Sequence, residues 1–416
     1  MNKHDRSILR DLAKRIAEIA SLPIQEERRR LWKAHNSLKP IRPMILLFPE
    51  GGWGELLTEA DLTCDDSEAR RIEYALRQRI YHHEHFADDT VIEGHWEVRK
   101  AIANSGWGLT GARHESSEAR GAWSFSPVLN DPADLEKLVT PTITHDQAET
   151  ERRTAEAEEL FGEILEIRPT GASHISYHLM QQYTSLRGLE QMMIDMFENP
   201  ELLHATMRRL TDGHKDILRQ YEKLNLLELN NNWTYHSSGG VGYTDELPAP
   251  GYDPAHVRPA DMWASAESQE LAQVGPAQHE EFALTYEREL LAPFALNGYG
   301  CCEPLTDRME LVLSIPNIRR ISISPWAHVD AAAEQLGPRA IFSWKPRPMD
   351  LVGEFHEPRI RSYIEHTVEV ALRNNCALEM ILKDTHTCEH HPERFDRWSE
   401  IAREVVGGAT RVVTVR

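Results

Sequence analysis

The sequence has no long apolar run. No segment approaches the roughly 20 consecutive apolar residues that a bilayer-spanning helix needs. The first twenty residues, MNKHDRSILRDLAKRIAEIA, carry charge throughout and contain no apolar signal core. A cytoplasmic location is expected. Positive charge is in short supply: the formal net charge is −20, a sign that disfavours nucleic acid and anionic membrane surfaces as partners. Cysteine is scarce and odd in number. Five residues, Cys64, Cys301, Cys302, Cys376 and Cys388, in a chain without an export signal argue against a disulfide framework. Their thiols are buried, catalytic or metal-bound. There is no short-period repeat and no low-complexity tract. No G-x-G-x-x-G follows any strand-like run, which leaves an open doubly wound sheet without its usual support.

What is present is an alternation of strand-like and helix-like segments. Residues 1–40 read as two helices forming an extension; Leu9, Leu12, Ile16 and Ile19 share a face of the first, with Ser7 as its expected N-cap. MILLF (44–48) is an apolar run of buried-strand length. Residues 66–85 read as a helix ending in YHHEHF, where His82, His83 and His85 are expected to be exposed imidazoles at a helix terminus. VIEGHWEVRKAI and AWSFSPVL read as strands of uncertain order, and DPADLEKLV as a helix capped by Asp131 with Pro132 at its first position. EILEIRP, LLELNNN, FALNGYG, RRISISPW, AIFSWKP and ALEMILKD are further strands, with helices between them, among them GPAQHEEFALTYERELLAPF capped near Gly275. Strands alternating with helices imply parallel βαβ units. Seven strands plus an eighth between residues 91 and 129 would close a TIM (β/α)8 barrel over 41–416.

In a barrel the chemistry sits in the loops after the strands. Here those loops are PEGGWGE, PTGASHISYH, NNWTYHSSGG, NGYGCCE, SPWAHVD, SWKPRP and KDTHTCEHH, rich in Cys, His and Trp. The loops before the strands, such as LNL, SIPNI and LGPR, are plain. Cys301, Cys302 and Glu303 end one strand; Asp384, His386, Cys388, His390 and His391 follow the last. Thiolate, imidazole and carboxylate form a zinc ligand set, and a catalytic zinc takes three protein ligands and an open position. The alternatives are that Cys301 and Cys302 are small core residues and that His390 and His391 flank a helix start. Trp53, Trp233, Trp326 and Trp344 all fall in strand-end loops, where they either wall an apolar pocket or pack the loops. Tyr235 offers a donor and His236 a group titrating near neutrality. Cys64 and Cys376 are expected to be structural.

From about Ile41 onward the chain resembles the uroporphyrinogen decarboxylase superfamily. The segments that carry the resemblance are RPMILLFPEGGWGELL, ENPELLHATMRRLTDG, GPAQHEEFALTYERELLAPF with NGYGCCEPLTDRM, NIRRISISPWAHVDAAAEQLGPRAIFSWKPRP and ALEMILKDTHTCEHHPERFDRWSEIAREV. The resemblance implies a TIM barrel. The decarboxylase branch uses arginines in the first glycine-rich loop; here that loop is FPEGGWGE, with Glu50 and Glu55 and no arginine, which disfavours a polyanionic porphyrinogen. The corrinoid-linked methyltransferase branch binds zinc through a His-x-Cys pair and a further Cys after the last strand. Cys301 and Cys388 match those cysteines. Tyr299 stands in place of the histidine, so Glu303, His386 or His236 would have to replace it. The resemblance thus implies a methyltransferase or demethylase using zinc and a corrinoid (cobalamin), the latter bound directly or on a partner protein, with a small-molecule substrate and a homodimeric state. A second reading is a decarboxylase or lyase on a small carboxylic acid held by Lys345, Arg347 or His386. A third is a non-catalytic corrinoid- or ligand-binding protein.

Overall fold

The computed structural model describes residues 1–114, 124–236 and 239–414. Seven strands form one all-parallel sheet: β1 (Met44–Leu47), β2 (Ser176–Tyr177), β3 (Trp263–Ala266), β4 (Leu296–Tyr299), β5 (Ile318–Ile323), β6 (Ile341–Trp344) and β7 (Ala377–Leu382). Their order is β1-β7-β6-β5-β4-β3-β2. Each strand from β2 to β7 lies beside its neighbour in sequence, and the first lies beside the last. That is the cyclic order of a singly wound barrel; a doubly wound sheet reverses direction in the middle. The fold is therefore α/β of the TIM-barrel type.

The remaining seam lies between β1 and β2. Along it, two aspartates, Asp88 and Asp89, rather than a strand satisfy the free edge of β1. The Asp89 carboxylate accepts from Ile45 N at 2.9 Å and that of Asp88 from Leu47 N at 3.1 Å, while Asp89 N donates to Ile45 O at 2.8 Å. A covered edge cannot template pairing with another chain.

Strand membership differs from the sequence reading in a consistent way. Glu166–Thr170, from the run EILEIRP, pairs with His95–Arg99 in a separate two-stranded sheet, and LLELNNN contributes a single bridge, Leu227 to Ala172. Ala101–Asn104 pairs with Ile143–Asp146 outside the barrel. Part of the AWSFSPVL strand lies outside the described residues; Ser124–Ser126 pairs with Ala112–His114, also outside the barrel. The barrel instead recruits β2 and β3, whose sequences, SY and WASA, are short or rich in Ala and Ser and carry no apolar run.

Outward side chains Ile321, Ile323, Phe342, Trp344, Leu378, Met380 and Leu382 join the helices in the main apolar core. Inward positions include a polar set, Ser265, Arg320, Ser322, Ser343 and Glu379, all buried, beside the apolar Met44, Leu46, Trp263 and Ile381. Residues 230–236 and 239–243 pack against them. A Cβ on Gly239 would lie 2.1 Å from Arg320 Cδ, so only glycine lets the backbone rest there.

Of the two N-terminal helices, α1 (Lys3–Ala20) packs on the helix 67–85 and on Leu160, Phe161 and Leu165, and α2 (Pro23–Asn36) packs on the barrel through Leu31 and Trp32 against Met44, Leu46 and Ile381. Asn2, not Ser7, caps α1, its side chain accepting from Asp5 N. The end of α2 enters the barrel floor. Asn36 Nδ2 donates to Val241 O (2.8 Å) and Tyr243 O (2.7 Å), its Oδ1 accepts from Arg320, and His35 Nε2 lies 3.2 Å from Glu379. Helix α3 (Ser67–His85) ends with His82 buried, not exposed, on the Asp88 carboxylate at 2.9 Å. Cys64 and Cys376 are buried. Among the described residues, no helix is long and apolar enough to cross a membrane.

Candidate active site

The groups that follow the C-terminal ends of the strands converge on one mouth. After β4 the chain turns at Gly300, whose φ is +94° and whose added Cβ would meet Leu305 Cδ1 at 2.7 Å. This turn separates Tyr299 from Cys301. Tyr299 points out into the helix layer, fully buried, with its hydroxyl 2.7 Å from His279 Nε2 and donating to Glu287 at 2.8 Å. Cys301 and Cys302 stand at the mouth, both partly exposed, with their Sγ atoms 3.7 Å apart. The hydrogen bond between the two thiols, opposed by burial, pulls the first ionisation, at Cys302, down; the same bond, with burial, pushes Cys301 up.

Beside them lies a cluster of glutamates. Glu303 is fully buried and accepts from Cys301 N at 2.8 Å and Ser268 N at 3.3 Å. Burial, reinforced by the nearby Glu267 charge, pushes its carboxyl up to about 8 despite those bonds. Burial and Glu267 likewise push Glu270 up to about 7. Glu267 hydrogen-bonds His178; burial lowers the affinity of that imidazole for a proton, but the carboxylate outweighs it and raises the pKa overall.

Two lysines and Tyr235 also stand near Cys301. Lys345 Nζ donates to Ser343 O and Oγ, both at 2.8 Å, and burial pulls it down to about 7. Lys383 is raised: burial disfavours its charge, but Tyr235, Cys301, Asp384 and Glu50 outweigh it. Glu50 (φ +47°) and Asp384 (φ +58°) both hold left-handed backbone conformations that non-glycine residues rarely adopt. Such residues gather at functional sites, where the surroundings over-determine them. Tyr235 packs edge-on against Phe48 with ring centroids 5.1 Å apart.

A cavity of about 480 Å³ opens at this mouth, lined by Glu270, Cys302, Pro304 and Trp326 among others. Its size suits a small molecule. Glu270 borders it with a buried Oε2 that has no hydrogen-bond partner. A larger groove of about 970 Å³ lies among α1, α3 and Gln147–Phe161, away from the strand ends, and is lined by interleaved Arg and Glu.

Several residues expected at the mouth lie elsewhere. Cys388 is 0% exposed, within the main apolar core; its thiol donates to Glu55 Oε2 at 3.1 Å, and burial pushes it up to about 11. Glu55 also accepts from Thr387 Oγ1, Cys388 N and His390 N. Its two carboxylate oxygens are therefore occupied with organising the loop after β7. His386 is exposed. Among the described residues, no three of Cys301, Glu303, His386 and Cys388 bring ligand atoms within 4.8 Å of one another; the one such group is His4, Asp5 and Asp65, on the N-terminal layer. This arrangement does not fit the expected zinc set. His236 does not supply the missing ligand: it is 1% exposed, stacked on Trp263, with Nε2 3.0 Å from Asn230 O, and burial takes it down to about 3, far from neutrality.

Of the four tryptophans only Trp326, 73% exposed, lines the cavity. Trp344 alternates outward into the core against Tyr363, Trp53 packs on Tyr81 and Phe86, and Trp233 lies exposed in its loop. Sequence reasoning missed Glu267, Glu270 and His178, because their strands carry no apolar signal. It also passed over Lys383, although that residue directly follows a recognised strand.

The molecule is thus an α/β barrel whose strand-end mouth carries a sulfur pair, glutamates whose proton affinity burial raises, and two lysines. No family model and no curated protein matches the chain. Among solved structures it is similar to a methyltransferase from Methanosarcina mazei, at 11% identity and a TM-score of 0.47, over 91% of this chain and 98% of that one.

Proposed function

We propose that the chain is an enzyme that takes a methyl group from oxygen or nitrogen of a small substrate in the strand-end cavity. The observation that carries this reading is the pairing, across one small cavity, of a soft sulfur nucleophile with a buried acid. Cys302 lines one wall and Glu270, with its unpartnered oxygen, lines another. The Cys301 thiol eases ionisation of Cys302, and the thiolate is the reactive form. Its sulfur attacks the methyl carbon. The S–C bond forms as the bond from carbon to the heteroatom breaks, the electron pair stays on the heteroatom, and the proton of Glu270 neutralises it. An acid held near neutrality by burial suits that donation. Trp326 supplies a flat apolar wall.

A corrinoid, when bound, supplies a soft cobalt centre able to exchange methyl groups. A corrinoid would be bound directly at the rim or carried there on a partner protein. The zinc ligands do not assemble, and the reaction as proposed needs none.

The test uses the purified chain with isotopically methyl-labelled ethers and amines, with cob(I)alamin as final acceptor. Labelled methyl on Cys302 and on cobalamin is expected, lost in Cys302→Ser and strongly reduced in Glu270→Gln. Absence of label from both acceptors would remove the reading. Metal analysis of wild type and Cys388→Ser is expected to give the same zinc content, since Cys388 donates to Glu55.

A second reading, a decarboxylase or lyase on a small carboxylic acid, is favoured by Lys345 and Lys383 beside Tyr235 at the same mouth. It predicts turnover of such an acid that survives Cys302→Ser and is lost in Lys383→Met.

A further inference from the structure

We infer that Cys301 and Cys302 are a reversible oxidation site, closing a disulfide between adjacent residues when a low-molecular-weight disulfide enters the mouth. The inference uses the placement of the pair and not the methyl-transfer reaction proposed for it.

The geometry has three parts. First, the two Sγ atoms are already 3.7 Å apart, in contact and on the same side of the chain. Neighbouring side chains in extended backbone point to opposite faces. Here residues 301–303 bend after the turn at Gly300 and are not extended, so that alternation does not apply to the pair. Second, the pair is reachable. Both residues are partly exposed and Cys302 borders the cavity, whereas Cys64, Cys376 and Cys388 are buried. Third, the backbone around the pair is held from outside. Ser322 Oγ donates to Cys301 O at 2.9 Å, and the Glu303 carboxylate accepts from Cys301 N at 2.8 Å. The sulfurs can therefore close without moving the strand that carries them.

The chemistry balances with the oxidant named. The Cys302 thiolate attacks one sulfur of the small disulfide, forming a mixed disulfide and expelling one thiolate, which takes up a proton. The Cys301 thiol then gives up its proton and attacks Cys302 Sγ, expelling the second thiolate. Two thiols of the chain become one S–S bond, and the small disulfide is reduced to two thiols. Adjacent residues hold their Cα atoms about 3.8 Å apart, closer than the roughly 4.4–6.8 Å of ordinary disulfides. A bridge so constrained is one that cellular reductants reopen, which is the behaviour of a switch rather than a structural staple. Closing it also withdraws the thiol that lines the cavity, so the oxidised chain has no free sulfur at its mouth.

The experiment treats the full chain with oxidised glutathione, quenches with acid, denatures, alkylates free thiols and weighs the peptide containing residues 301 and 302. The expected result is a peptide two hydrogens lighter than its reduced form and unalkylated, restored to two alkylated cysteines by dithiothreitol. Cys64, Cys376 and Cys388 should be alkylated throughout. In Cys301→Ser, a mixed disulfide should instead persist on Cys302. A wild-type peptide alkylated at both cysteines, or a wild-type mixed disulfide that never resolves, overturns the inference. The readout is mass and needs no turnover, so it stands or falls apart from the methyl-transfer reading.

Discussion

Glu287 is a carboxyl with no route to water, lodged between β4 and the helix layer. It accepts from Ser268 Oγ and Tyr299 Oη, both at 2.8 Å. Burial pushes it up to about 7, above the roughly 4.3 of an unfolded glutamate. The native state therefore keeps the proton at pH values where the unfolded chain has lost it. Its contribution to stability is complete below the unfolded pKa and is lost as pH rises toward the folded one, between about 4.3 and 7. Glu287→Gln keeps the neutral shape, and its hydroxyl neighbours can exchange donor and acceptor roles. Urea midpoints should show the variant gaining on wild type as pH rises through that window. Parallel curves would mean that the carboxyl is ionised in the fold. Ser268 N also donates to Glu303, so the same experiment probes how firmly the rear of the mouth is held.

At the scale of elements, the turn after β4 does the most. Gly300 lets one strand send Tyr299 to the helices and Cys301 to the mouth. Gly300→Ala would place a Cβ 2.7 Å from Leu305 in a left-handed conformation. A cost of about 1–3 kcal/mol is expected, read as a lower urea midpoint. Oxidation of the 301–302 pair should fall with it, because the two sulfurs lose their alignment. A variant with unchanged stability and oxidation would show that the turn is dispensable. The strands themselves were unevenly legible. β1, β5, β6 and β7 have apolar or β-branched runs that mark a buried strand, whereas β4, LNGY, only continues the apolar Phe294–Leu296. β3 reads WASA because its inward Ser265 hydrogen-bonds Ser176 and its alanines pack under helices. A strand whose neighbours supply the bulk needs little apolar character of its own. EILEIRP had the better strand pattern and went to a side sheet, because pairing partners are chosen by three-dimensional fit.

For the whole molecule, the N-terminal helices are more than an extension. Asn36 is fully buried and ties α2 to Val241, Tyr243 and Arg320 at the barrel floor. Arg320 in turn pairs with Glu379 at 2.9 Å, both nearly or wholly buried. Such a pair is costly to leave half-made. Asn36→Ala strands the Tyr243 carbonyl and leaves Val241 O with only its longer bond from Arg320 at 3.3 Å; a loss of about 1–3 kcal/mol is expected, measured by urea unfolding. Deleting residues 1–40 should leave a chain that does not unfold cooperatively. A stable, cooperatively folding 41–416 fragment would show that the floor closes without α2.

The sequence by itself determined the α/β alternation, the barrel class, the end of the barrel where the Cys- and His-rich loops lie and the sulfur pair after β4. These follow from local pattern: hydrophobic period, capping residues and the unequal content of the loops before and after strands. Tertiary structure decided which sulfurs meet. Cys301 and Cys302 are adjacent in the chain and stay together, whereas Cys388 needed its loop to turn toward Cys301 and was instead captured by Glu55 within the apolar core. It also decided that Trp344 faces the helices and that His236 is buried, where loss of solvent lowers its affinity for a proton. Residue type states what chemistry a side chain can do; direction, burial and partners decide whether it does it, and these are set by packing between segments far apart in the chain.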